Sequence, residues 1–125
     1  MSQYEPSHSI HRNEQFREAH YTISGLYDAD AARAFMAELG RAAYPFIATG
    51  KPWSALGVLT GFIPQGRETA IVIEESIKEA AENGMVRLAL VKPPPIVSMQ
   101  HRRVAGDANL QVFETKVEAL QWMRS

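Results

Sequence analysis

LQVFETKVEALQWMRS, residues 110–125, decides how the chain closes. Leu110, Val112 and Phe113 are apolar or β-branched and suit a strand. Thr115 and Glu118 then stand at the capping-box spacing. A Thr hydroxyl there accepts from the amide three residues on, while the Glu carboxylate reaches back to the Thr amide. Val117, Leu120 and Met123 follow at intervals of three, with Ala119 and Trp122 beside them, and predict one apolar helical face. A chain that ends this way adds a last strand to a sheet and lays a last helix on it.

Upstream, the alternation of strand and helix recurs. Val86 to Val91, VRLALV, is a buried-type strand stopped by Pro93, Pro94 and Pro95, which have no ladder donors. Ser98 is placed to cap a short helix through Val104, with Gly106 as its stop and Asp107 to Asn109 as the turn into the closing strand. Glu68 to Glu82 has two readings. TAIVI alone passes for a strand, but Ala70, Ile73, Ile77, Ala80 and Ala81 share one helical face, and Asn83-Gly84 is a fitting terminator. The longer window predicts a helix.

Ser54 to Thr60, SALGVLT, has the small and branched composition of a central strand buried on both faces. Tyr44 to Trp53 reads as a loop punctuated by Gly50 and Pro52. Asp28 is a good N-cap for an Ala-rich helix whose face is Ala32, Phe35, Met36, Leu39 and Ala43, and Pro45 is expected to close it. In Arg17 to Leu26, Ala19, Tyr21 and Ile23 alternate with His20, Thr22 and Ser24, a strand with one buried face. Ser9 to Arg12 is a short edge strand joined to it through Asn13 to Gln15, and residues 1–7 read as a loose lead-in. The order is ββαβαβαβα. It predicts an α/β fold, a mixed and mostly parallel five-stranded sheet with four helices, in a single domain over 1–125.

The totals set outer bounds. A chain of 125 residues suits one core. With 13 basic and 14 acidic side chains it lacks the positive excess of a general nucleic-acid or anionic-membrane binder. There is no cysteine, which excludes disulfides, thiolate nucleophiles and Cys-ligated zinc. No apolar run is long enough for a membrane span and the N-terminus lacks an apolar signal core, so a cytoplasmic location is expected.

Several segments together resemble the SpoIIAA-like family, bacterial domains of the STAS / Sec14-like fold. Gly25-Leu26-Tyr27-Asp28 leads into the Ala-rich helix, Lys51-Pro52-Trp53-Ser54-Ala55-Leu56 enters the central strand, and Asn83-Gly84 precedes VRLALV. Gln111-Val112-Phe113 followed by Glu118-Ala119-Leu120-Gln121-Trp122-Met123 is similar to the family's ending, an aromatic strand residue and then E-A-x-x-W-L. The resemblance covers roughly Ile10 to Met123 and implies the fold more than an activity. In the wider STAS group a Ser or Thr at the start of the helix after the central strand is phosphorylated and switches binding to a partner kinase. Here that segment, Thr60 to Thr69, lacks the Asp-Ser/Thr pair, and Thr69 is the nearest hydroxyl.

The chemistry-bearing residues offer few constellations. Lys92, His101, Arg102 and Arg103 around Ser98 form one basic patch, suited to a phosphate, a lipid head group or an acidic partner; a charged surface helix is the plainer reading. Trp53, Phe62 and Ile63, with Tyr44, fall near the ends of the central strand, where exposed apolar side chains would mark a partner or ligand site. His8, His11 and His20 are expected to be exposed strand histidines, and no metal or cofactor is expected. Glu75, Glu79 and Glu82 read as a solvated helix stripe. No nucleophile elbow, P-loop or dinucleotide fingerprint is present, and Ser98, His101 and Asp107 are too local to converge as a triad.

The leading expectation is a non-enzymatic regulatory or interaction module binding a protein partner, a homodimer included. The second is a small carrier of an apolar or acyl-type ligand under the Phe62–Gly66 loop, its anionic end near Lys92, Arg102 and Arg103. An enzyme using His101 as acid or base ranks last.

Overall fold

The computed structural model describes residues 4–97, 99 and 109–125. Its strands are β1 (Ser7–Asn13), β2 (Glu18–Gly25), β3 (Trp53–Phe62), β4 (Met85–Val91) and β5 (Asn109–Phe113). Its helices are α1 (Ala29–Ile47), α2 (Arg67–Glu82), α3, helical at 95–97 and 99, and α4 (Lys116–Met123). The five strands lie in chain order across one sheet. β1 and β2 are antiparallel, and every later pairing is parallel. The mixed sheet and the alternating order agree with the sequence expectation.

The two faces of the sheet carry different loads. Ala19, Tyr21 and Ile23 of β2, Ala55 and Leu59 of β3, and Leu88 and Leu90 of β4 join α1 and α2 in one core. The opposite face carries a smaller core, in which Leu56, Ala89 and Val91 meet Ala119 and Met123 of α4. Because β3 and β4 are covered on both sides, they are apolar nearly throughout.

Four local readings are corrected in whole or in part. Helix α1 does not close at Pro45 but runs to Ile47. Proline there removes only the donor to the Arg41 carbonyl, one bond in the last turn. Phe46, buried at 4 %, anchors the continuation, and the Arg17 guanidinium donates to the Phe46 carbonyl at 3.1 Å. On α4, Ala119 and Met123 are buried and Leu120 and Trp122 pack beside them as expected, but Val117 is 65 % exposed and falls outside that face. A four-residue step follows the helical turn of 3.6 more closely than the repeated interval of three. The Thr115 cap forms as expected on one side, Glu118 N donating to Thr115 Oγ1 at 3.2 Å, while on the other the Glu118 carboxylate accepts at 2.9 Å from the Thr115 hydroxyl rather than from its amide. The lead-in is tied at its end, since Leu26 N donates to the Tyr4 carbonyl at 2.7 Å and β1 already starts at Ser7.

The two-sided stretch resolves as helix. A strand would put Ile71 and Ile73 on one face; α2 buries Ile73 with Ile77 and leaves Ile71 exposed.

Candidate functional site

Helices α1 and α2 lie side by side on the sheet without filling the space between them. Where they face each other the sequence supplies small side chains: Gly40 and Ala43 on α1, Ala80 on α2. A groove of about 480 Å³ remains, with Met36, Leu39, Ile47, Val72 and Ile77 in its walls. Trp53 and Met85, at the starts of β3 and β4, close one end, and Ala19, Tyr21, Ala55 and Leu88 form the floor. Arg33, Glu75, Ser76, Glu79 and Asn83 supply polar groups to the lining. Arg33 already donates to Asp30 at 2.9 Å. Volume and composition fall within the range of ligand pockets, roughly 300–1,000 Å³ with mostly apolar linings.

Tyr21 is the polar exception in the floor. Its ring meets Phe35 edge-on, with centroids 5.6 Å apart, and its phenol end lies over Gly57 of the neighbouring strand. Any Cβ at Gly57 collides with that phenol, so glycine lets the ring lie flat across the sheet. Desolvation raises the Tyr21 pKa well above its ordinary 10.0, so the hydroxyl stays protonated. Among the described residues, no hydrogen bond reaches it.

Two further polar clusters flank the sheet. On the α1 side, Tyr27 Oη and His8 Nδ1 are 3.1 Å apart, and His8 Nε2 meets Glu38 Oε2 at 2.8 Å. This phenol–imidazole–carboxylate chain has the order of a proton relay. Its phenol, however, is buried at 4 %, and desolvation, helped by Glu38, raises its pKa. Raising that pKa is the opposite of activating the oxygen as a nucleophile. His8 is the centre of this chain, tying β1 to α1 through Glu38 and to the β2–α1 connection through Tyr27.

On the α4 side, Glu18 is 1 % exposed. Arg124 grips its carboxylate with two bonds, Nε to Oε2 at 3.1 Å and an amino nitrogen to Oε1 at 2.9 Å, and His20 Nε2 meets Oε1 at 2.8 Å. The Arg124 guanidinium also lies 4.0 Å from the Phe16 ring centroid. His20 Nδ1 is buried without a partner among the described residues. Burial lowers the His20 pKa from 6.5; the Glu18 bond opposes this, while His11 and Lys116 add to the lowering. The expectation of an exposed histidine therefore fails for His20, which lies beside Leu56 of β3 on the sheet face that α4 packs against. For Arg124, the bond to Glu18 raises the pKa.

The residues singled out from sequence do not converge. Trp53 is 5 % exposed and its indole donates to the Asn83 carbonyl at 2.9 Å, within the groove wall. Phe62, at the other end of β3, is core and packs against Tyr27. Ile63 is half-buried in the following loop. Lys92 is exposed after β4 with a φ of 51°, its amide donating to the Phe113 carbonyl at 2.9 Å. Thr69 is 3 % exposed and donates to the Tyr27 carbonyl at 2.8 Å, pinning the first turn of α2 to the β2–α1 connection. Ser98, His101, Arg102 and Arg103 lie outside the described residues. The groove lies elsewhere than under the Phe62–Gly66 loop: neither that loop nor Lys92 lines it. Gln65 ties that loop to the β2–α1 connection: its side-chain amide donates to Gly25 O and Ile63 O, and its amide oxygen accepts from Tyr27 N.

With this geometry the fold is SpoIIAA-like, a mixed five-stranded sheet layered with helices on both faces. A solved structure that shares it is an uncharacterized protein from the DUF3478 family with a SpoIIAA-like fold, from Shewanella loihica PV-4. The match covers 98 % of each chain with a TM-score of 0.70 at 19 % sequence identity. No family model matches the sequence, and no curated protein matches it.

Proposed function

We propose that the protein is a non-enzymatic binding module of SpoIIAA-like fold that holds a small, largely apolar ligand between α1 and α2. The observation that carries this reading is the 480 Å³ groove with its apolar floor and walls. A non-catalytic role is supported by the state of the polar clusters: the Tyr27 phenol is buried with a raised pKa, and the Glu18 carboxylate is closed by Arg124. The test is native mass spectrometry of the freshly purified protein, followed by NMR titration with small aromatic probes. The expected result is a co-purified organic mass, or probe-induced shifts confined to groove residues such as Trp53 and Val72. A protein that carries no adduct and whose groove signals ignore every probe overturns the reading.

A second reading, a regulatory module that docks a protein, is supported by the carboxyl edge of the sheet. Leu26 there is 45 % exposed, and Ile96 and Met99 of α3 are 50 % and 62 % exposed. Open α/β sheets bind their partners at that edge. A photo-crosslinking residue at Met99 is expected to yield a discrete product in cells, at twice the chain mass if the partner is a second copy. Loss of that product with Leu26→Asp supports the edge as the contact, and its persistence removes Leu26 from it.

A further inference from the structure

We infer that the groove selects neutral ligands bearing an oxygen acceptor at their buried end, and that Tyr21 Oη is the group that reads this oxygen. The inference rests on the ligand-binding reading above and adds the ligand's chemistry.

Tyr21 is 8 % exposed and lines the groove floor. Its hydroxyl makes no hydrogen bond to any described residue. The oxygen is not sealed from solvent, since His20 Nδ1 is the buried unpartnered side-chain polar atom among the described residues, so a ligand entering the groove displaces water from this hydroxyl and must replace that bond or leave it unsatisfied. Desolvation keeps it protonated, so toward a ligand it acts as a donor and demands an acceptor. The lining of the groove then decides charge. Glu75 and Glu79 carry negative charge there, and the cation Arg33 is already paired with Asp30. An anionic ligand meets two carboxylates and must leave its own charge in an apolar hollow, which is unfavourable. A ketone, ester or aldehyde on an apolar body satisfies the floor without that cost. Gly57 fits the same account, because any larger residue would displace the phenol from the floor.

Three probes of nearly one shape separate these terms. Benzylacetone carries the ketone oxygen, isopentylbenzene replaces it with a methyl group, and hydrocinnamate carries a carboxylate. Affinity is read from the Trp53 indole N–H signal in the full chain. Benzylacetone is expected to bind more tightly than both, and Tyr21→Phe to weaken it roughly three- to tenfold while leaving isopentylbenzene unchanged. Tyr21→Phe removes only the oxygen, and an unchanged amide spectrum shows that the variant is folded. Equal binding of benzylacetone and isopentylbenzene, or a ketone affinity indifferent to Tyr21→Phe, overturns the inference while leaving the groove a ligand site. Tight binding of hydrocinnamate overturns the charge argument, and failure of all three probes counts against the groove reading itself.

Discussion

At the scale of single residues, the most consequential side chain is Glu18, a carboxylate at 1 % exposure in the first position of β2. A buried charge is tolerated only when it is paired and hydrogen-bonded. Arg124, 106 positions along the chain, supplies both. Removing the guanidinium with Arg124→Ala leaves His20 as the remaining partner of that carboxylate among the described residues. Breaking a buried pair costs about 3–5 kcal/mol; because Arg124 is partly exposed and the His20 bond survives, the expected loss is roughly 1–3 kcal/mol. Urea denaturation checks it, and a loss indistinguishable from zero would mean that Glu18 is stabilised by other groups. His20 adds a pH term. Its folded pKa lies below 6.5, so as pH falls past that value the unfolded chain binds the proton before the folded one does. Stability therefore declines with acidification from that point and levels off below the folded pKa. The groups facing the imidazole are Glu18 and His11 from the sheet and Lys116 and Arg124 from the chain end. The thermal midpoint is expected to fall between about pH 7.5 and pH 5.5, and less steeply in His20→Gln, whose side chain does not titrate. Parallel curves for the two proteins sink this assignment.

At the scale of elements, the close fit of β2 against β3 hangs on Gly57. Tyr21 reaches across from β2, and its phenol occupies the volume a Gly57 side chain would need. Gly57→Ala forces the ring off its position in a packed layer, with an expected cost of about 1–3 kcal/mol. Combining it with Tyr21→Ala is expected to recover part of that cost, since the collision disappears; a double-mutant cycle measures the coupling, and strictly additive losses contradict the contact. The elements themselves were largely legible. Strands covered on both faces announce themselves by composition, as VRLALV and SALGVLT do, and α2 by the spacing of Ile73 and Ile77. Pro45 misled because the rule that proline closes a helix is local, whereas the burial of Phe46 and the reach of Arg17 are tertiary. Val117 misled because an interval of three mimics a helical face for only one turn. His20 was hidden for a related reason: alternation along β2 identifies two faces, but whether α4 covers the second is decided about a hundred residues away.

At the scale of the whole molecule, the groove exists because two helices facing each other were both built from small side chains. Alanine in α1 reads from sequence as helix propensity, and nothing local distinguishes an alanine that packs from one that leaves room. Gly40 separates these meanings. It sits inside α1, where glycine costs roughly 0.5–1 kcal/mol relative to good helix formers. A Cβ at Gly40 meets nothing within 4 Å, so no close packing requires the missing side chain. Its neighbourhood is the open groove, which it lines. If the hollow serves only the fold, a larger residue there improves the protein in every respect. If the hollow is the site, the same residue stabilises the fold and abolishes binding. Gly40→Leu is therefore expected to raise the unfolding free energy by about 0.5–1 kcal/mol, more where the new side chain also buries apolar surface. It is also expected to eliminate the Trp53 indole shift that benzylacetone produces in the parent. A Gly40→Leu protein that is more stable and still binds the probe places the ligand elsewhere, and one that is less stable shows that the two helices close more tightly than the groove implies.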